Sequence, residues 1–340
     1  MTSDSPSREG WPPAVRVVGP HDISIAAAEA LAHGAAMALV DSAVLSLTGS
    51  GAVLCMQGML TADIEGSGPR GFSYGAALTP KGMIVSDMWV ARRNDGIQLF
   101  VPADGKEPLL EIFRRSLPPR LARTEDHSES VSVFQVVGPE SSGLVQDAGI
   151  DLPEVGESVA ANCGGYPCNV ARPGFEQPFG IQISCTLDGV EAVSAALERA
   201  GVVRADTSVL EAARVIAGWP RLGTEIDSKT LPQEVRFDDI GGVSYTKGCY
   251  TGQETVARVH FRGHANRRLA GLVWDADPSS EDSEIRDNGE SVGRVCSIAW
   301  LPDLKQVVGL AVIRREVGED AVVTAGGAPA RVSTLPFILD

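Results

Sequence analysis

The sequence predicts an α+β protein: mixed subdomains with helices packed on antiparallel sheets, then a small all-β barrel. Three observations carry this. The chain has 340 residues, too many for one ordinary core, and 44% of them are hydrophobic, enough to bury two or three. Strand-period and helix-period segments alternate from Asp41 to Trp219. After about Asn266 the helical period stops, and short apolar runs are divided by Asp, Pro and Gly.

The N-terminus, MTSDSPSREGWPP, has no apolar core segment, so residues 1–13 read as a disordered tail and no signal peptide is expected. The stretch from Ile23 to Leu47 is apolar but holds Glu29, His33 and Asp41, which argues against a membrane span. GSGAVLCMQGML reads as a helix capped by Ser50, with Val53, Met56 and Leu60 on one face. The run from Gly71 to Ala103 gives three strands joined by turns at TPKG and NDG, where glycine supplies the positive φ. GKEPLLEIFRRSL is an amphipathic helix with Leu109, Ile112, Phe113 and Ser116 on one side.

The middle repeats the alternation. SVFQVVGP is a strand, SSGLVQDAGI a short helix and FGIQISC a strand. DGVEAVSAALERAGV is a helix stopped at Gly201, and SVLEAARVIAGW is a further helix. The last part, residues 266–340, holds strands at RRLAGLVWD, ESVGRVCSIAW, QVVGLAVIRR and DAVVTAGGAPARVSTLPF. The acidic DADPSSEDSE reads as an exposed loop between them.

The net charge of −15 and pI of about 4.8 argue against a whole-surface attraction to nucleic acid or anionic membrane. Six cysteines, at 55, 163, 168, 185, 249 and 296, form no disulfide framework and fit a reduced, cytoplasmic setting. Gly66–Gly71, GSGPRG, matches a dinucleotide fingerprint only literally: a helix precedes it and a strand follows. Cys163 with Cys168 and His260 with His264 have the spacing of two ligand pairs. They lie far apart in the chain, and Gly263 interrupts the second, so no metal site is expected. No nucleophile elbow, zinc-protease motif or Walker lysine occurs. ARVHFRGHANRR is a local basic patch, suited to a carboxylate tail or a phosphate backbone, or simply a solvated linker.

SYTKGCYTGQE, Ser244–Glu254, is the most distinctive stretch. An extended run meets a glycine turn, and TGQETVARV can start a helix, with Thr251 and Glu254 at capping-box spacing. Cys249 stands just before that helix with Lys247 nearby, and both influences favour a thiolate. A buried filler thiol is the plain alternative.

The residues KGCYTGQE resemble the K-G-C-Y-x-G-Q-E signature of the YgfZ proteins, tetrahydrofolate-binding relatives of the glycine-cleavage T-protein (aminomethyltransferase). LTGSGAVLCMQGMLTADI, ALTPKGMIVSDMWV, ARVIAGWPRLGTEID, LPQE, RGHANRRLAGL and VSTLPF are similar to further segments of that family, so the likeness spans about Val44 to Phe337. It implies two α+β subdomains over 14–265 and a C-terminal β-barrel over 266–340, set around a central opening. The function it implies is a tetrahydrofolate-binding accessory protein for iron–sulfur cluster assembly or repair, which also affects tRNA-modifying iron–sulfur enzymes. The alternative is a folate-dependent aminomethyl or one-carbon transferase or demethylase.

Site residues follow from the same likeness. Asp87 falls where the aminomethyltransferases hold a catalytic acid, and Glu176 lies near their pterin-binding glutamate. Arg214 and Arg258 are placed to meet folate carboxylates, and the turn Gly248, Tyr250, Gly252, Gln253 and Glu254 to contact the cofactor. Cys249, polarised by Lys247, is the expected reactive residue. Met59 and Ala62 stand where relatives commonly carry polar residues. The expected partners are a folate and iron–sulfur client proteins, with no membrane, no direct nucleic-acid binding and a monomeric chain.

Overall fold

Period-two alternation builds the first sheet. A computed structural model describes residues 15–19, 21–174, 180–301 and 306–337; the tail expected over 1–13 and the expected ligand Glu176 lie outside the described residues. The chain opens with β1 (Arg16–Val18), α1 (Ile25–His33), β2 (Ala36–Leu39), β3 (Ser42–Thr48) and α2 (Ala52–Met59). It continues through β4 (Phe72–Leu78), β5 (Ile84–Arg93), β6 (Gly96–Pro102), α3 (Ala103–Ser116) and β7 (Arg123–Asp126). The sheet order is β4-β5-β6-β3-β7, antiparallel throughout. Met88 and Val90 of β5, with Leu99 and Val101 of β6, point to one face and pack on Met56, Leu109 and Phe113 of α2 and α3. The intervening Trp89, Ala91 and Phe100 point to the opposite face, as side-chain alternation requires.

The second subdomain holds β8 (Val131–Val137), α4 (Ser141–Asp147), β9 (Glu157–Cys163), β10 (Tyr166–Arg172), β11 (Ile181–Thr186), α5 (Val190–Arg199) and β12 (Val203–Arg204). These strands join β2 in the order β12-β2-β8-β11-β10-β9. Val193, Ala196 and Leu197 of α5 cover Met37, Phe134 and Ile183 on one face. The β9–β10 hairpin, closed by Gly164 and Gly165 at positive φ, is not assigned by the sequence pattern, because its residues mix polar and apolar on both faces.

α6 (Thr207–Ala217) is buried from Val209 to Ala217 and lies between the subdomains and the barrel. Burying its Val209, Leu210, Val215 and Ile216 stabilises the junction by about 1.5–3 kcal/mol per side chain. Gly218, at φ 66°, ends it in a left-handed cap.

α7 (Gln253–Arg262) precedes the barrel strands β13 (Arg267–Trp274), β14 (Glu284–Asp287), β15 (Glu290–Leu301), β16 (Gln306–Arg314), β17 (Val322–Ala325) and β18 (Ala328–Ser333). Six strands close in the order β15-β14-β17-β18-β13-β16, with β15 paired back to β16. β1 adds a parallel strand to β15, so the first described strand is bound to the last unit. Two local expectations change. α2 and α7 start after Gly51 and Gly252, not on side-chain caps from Ser50 or Thr251. The acidic loop ends in a paired strand, β14, which one apolar residue, Ile285, does not announce.

Candidate functional site

Where the two sheets meet α6 lies a cavity of about 300 Å³. Strand alternation aims its key groups. Asp87 and Trp89, two apart on β5, share the inner face with Tyr74 of β4 and Phe100 of β6. Ala76 stands opposite Asp87, and its small side chain leaves the carboxyl room. The ring of Trp89 lies parallel to Phe72 at 4.8 Å and to Trp219 at 5.7 Å between centroids, so the wall is a stack of flat faces. Gln135 of β8 and Gln182 of β11 add amides from the second sheet.

Asp87 is 5% exposed. Its Oδ2 accepts a hydrogen bond from the Tyr74 hydroxyl at 2.8 Å. Its Oδ1 is buried and accepts none from the protein. Burial raises the carboxyl above the usual range, partly offset by the Tyr74 bond. Burial and then the adjacent Asp87 raise Tyr74 well above an ordinary phenol, so Tyr74 stays the donor. A buried carboxylate oxygen without a partner is costly, and it marks a place where a ligand donor fits.

Arg214 also lines the cavity, but its guanidinium is engaged inside the protein. It donates to Glu211 Oε1 at 2.6 Å, Glu225 Oε2 at 3.0 Å, Ser297 Oγ at 2.6 Å and the Trp219 carbonyl. Burial alone would lower its pKa, and the ion pairs with Glu225 and Glu211 win and raise it. Glu211 is paired as well with Arg16 at 3.1 Å and Arg221 at 3.4 Å. This network ties α6 to β15 of the barrel and fixes the cavity floor.

SYTKGCYTGQE forms a strap stitched to the end of α2. Ser244 N–H donates to the Thr61 carbonyl at 2.9 Å, and Thr251 N–H to that of Gly58 at 3.1 Å. The Lys247 ammonium donates to the carbonyls of Leu60 at 2.8 Å and Ala62 at 2.6 Å. It makes no hydrogen bond to Cys249. Burial pulls its pKa down to about 8, against the pull of Asp63 and Glu65. Lys247 thus anchors the strap. Tyr250 is buried beside the aromatic cluster of Tyr74 and Trp219, its hydroxyl pushed up to about 12 by burial. Gly252 sits at φ 82°, and a Cβ there would lie 2.6 Å from the Thr79 carbonyl, so only glycine fits.

Asp87 and Arg214 therefore line the cavity, whereas Gly248, Cys249, Tyr250, Gly252, Gln253, Glu254 and Arg258 do not. Cys249, Gly248, Glu254 and Arg258 are exposed. Tyr74, Trp89, Trp219, Gln135 and Gln182 are among the cavity groups that sequence reading did not single out. Trp89 alone had a signal, standing two residues from Asp87 on one strand. Among the described residues no His, Cys, Asp and Glu group can hold a metal ion, and no helix is long and apolar enough to cross a membrane.

Two family models match the chain. Residues 20–240 match the GCVT N-terminal domain, and residues 267–338 the glycine cleavage T-protein C-terminal barrel domain. The chain belongs to the glycine-cleavage T-protein family. Within this family it is 26% identical to an aminomethyltransferase of Rubrobacter xylanophilus over 86% of this chain and 80% of that one. It is equally 26% identical to the tRNA-modifying protein YgfZ of Shigella dysenteriae, over 89% of this chain and 93% of that one. The crystal structure of glycine cleavage system aminomethyltransferase T from Bartonella henselae shares the fold, with a TM-score of 0.78 and 17% identity. The alignment covers 92% of this chain and 88% of that one. The strap and α7 lie between the two matched T-protein family segments.

Proposed function

We propose that the protein is a tetrahydrofolate-binding accessory protein that serves iron–sulfur enzymes, including tRNA-modifying ones, in the cytoplasm. The observation that carries this is the partnerless Asp87 Oδ1 inside an aromatic-walled cavity of a T-protein-family chain. A pterin is flat and presents N–H donors. The stacked Trp89 and Trp219 give it an aromatic wall, Asp87 an acceptor, and Gln135 and Gln182 amides of either polarity. Glu176 is carried over as a second pterin acceptor on the likeness to the family. Bound tetrahydrofolate supplies a carrier for one-carbon units. Tyr74 holds Asp87 in place, and the Arg214 network holds the floor rigid. The exposed Cys249, displayed on a strap fixed by Lys247, is the group offered to a client protein.

Complementation of a strain lacking its own relative tests the role. Wild type should restore iron–sulfur enzyme activity, and Cys249→Ala and Asp87→Asn should not. Equal rescue by both variants would overturn the assignment. The retained Asp87, its carboxyl raised by burial, favours one second reading: a folate-dependent aminomethyl or one-carbon transferase with Asp87 as proton carrier. Incubation with tetrahydrofolate and either aminomethyl-lipoyl protein, which releases ammonia and dihydrolipoyl protein, or an N-methyl amino acid supplied with a two-electron oxidant should then yield methylene-tetrahydrofolate. No product from any donor would remove that reading.

A further inference from the structure

The outer face of α7 carries an exposed aromatic ring, Phe261, and two arginines. Val256 marks its buried side, and Arg258, Phe261 and Arg262, at i, i+3 and i+4, form the opposite stripe, with the exposed Glu254 one turn before Arg258 at its start. Phe261 is 66% exposed. It is nonetheless held, edge-on to His260 at 4.7 Å and to Tyr245 at 5.8 Å between centroids. His260 in turn stacks on Tyr245 at 3.7 Å, and Tyr245 donates to Asp238. Arg258 and Arg262 have no ion-pair partner among the described residues, unlike nearby Arg236 and Arg267, which pair with Asp239 and Glu234.

A fixed, exposed ring on one helix face with two guanidinium groups that make no ion pair among the described residues is the composition of an interface anchor. On a chain of net charge −15 these cations are a local exception. A long polyanion would meet repulsion beyond the stripe, whereas a short acidic segment fits within it. Cys249 lies three residues before Gly252, the residue that immediately precedes α7. Three residues span at most about 11 Å and ten helical residues about 15 Å, so a partner seated on the stripe lies within reach of the thiol.

We propose that the Arg258–Phe261–Arg262 face of α7 docks an acidic segment of a protein partner, with an apolar side chain against Phe261, and so brings that partner beside Cys249. The inference rests on the reading of Cys249 as the group offered to a client, and it names the chemistry of that client's docking segment.

The test uses the full chain and a fluorescein-labelled peptide of about 12 residues alternating glutamate and leucine, read by anisotropy. Controls are the same peptide with lysine for glutamate and a single-stranded RNA of similar length. The acidic peptide should bind, weaken as salt rises, and lose at least about tenfold in affinity in Phe261→Ala/Arg262→Glu and in Arg258→Glu. Equal binding by wild type and variants, or no binding of the acidic peptide, would overturn the proposal. Preference for the RNA would reassign the face to nucleic acid. Self-association that the variants abolish would reassign it to a second copy. Tetrahydrofolate titrated into Phe261→Ala/Arg262→Glu should bind as in wild type. A wild type that binds the peptide but no folate would sink the folate reading and leave the docking face standing.

Discussion

Replacing Arg214 with methionine separates a structural arginine from a ligand-binding one. The side chain is 6% exposed and has four internal acceptors. In Arg214→Met, Glu211 keeps Arg16 and Arg221 as counter-charges. Glu225 does not: Arg214 is its one ion-pair partner among the described residues, and only the Ser297 hydroxyl and the Arg221 N–H remain. Breaking a buried pair from one side costs about 3–5 kcal/mol, most of it here the stranded Glu225 carboxylate. A loss of about 4 kcal/mol lowers the melting temperature of a chain of 340 residues by about 6 °C. Arg214→Met/Glu225→Gln should recover most of the loss. Thermal and urea unfolding measure this. A loss below about 1 kcal/mol would refute the reasoning, as would unchanged stability with abolished folate binding.

Two further outcomes bear on the strap. Gly252→Ala should cost at least about 2 kcal/mol, because a left-handed alanine and a contact with the Thr79 carbonyl add together. Gly248→Ala, where a Cβ meets nothing within 4 Å, should be nearly neutral by urea unfolding; equal costs would contradict this. Lys247 has a folded pKa of about 8 against an ordinary value of 10.5, so the folded state sheds its proton first. The penalty is complete below pH 8, and wild type should gain on Lys247→Met by up to about 1.4 kcal/mol per pH unit as pH rises above 8. A flat difference in urea midpoints from pH 7 to 10 would contradict it.

Much of the fold was legible because its signals are local. The β4–β5–β6 turns carry glycines at the required positions, α6 ends at Gly218, and the barrel strands alternate between turn residues. The β9–β10 hairpin and β14 escaped, since polar residues fall on both faces of the first and only Ile285 is buried in the second. The site was legible in part. Asp87 and Cys249 came from likeness to a family. The partners of Arg214 did not, because Ser297 lies 83 residues away and nothing local ties the two. Likewise Lys247 stands two residues before Cys249, yet its ammonium goes to carbonyls 187 and 185 residues back. Trp219 joins the cavity wall through a turn that only the tertiary fold brings under Trp89.

The central claim is that the Asp87 cavity receives a reduced folate. Calorimetric titration of tetrahydrofolate into wild type and Asp87→Asn tests it most directly. The asparagine keeps an acceptor for Tyr74 and the shape of the carboxylate but removes its charge. Wild type should bind one equivalent, and the variant should bind at least about tenfold more weakly, the loss of one charge-assisted hydrogen bond. No heat of binding in wild type, or equal affinity in both proteins, would contradict it.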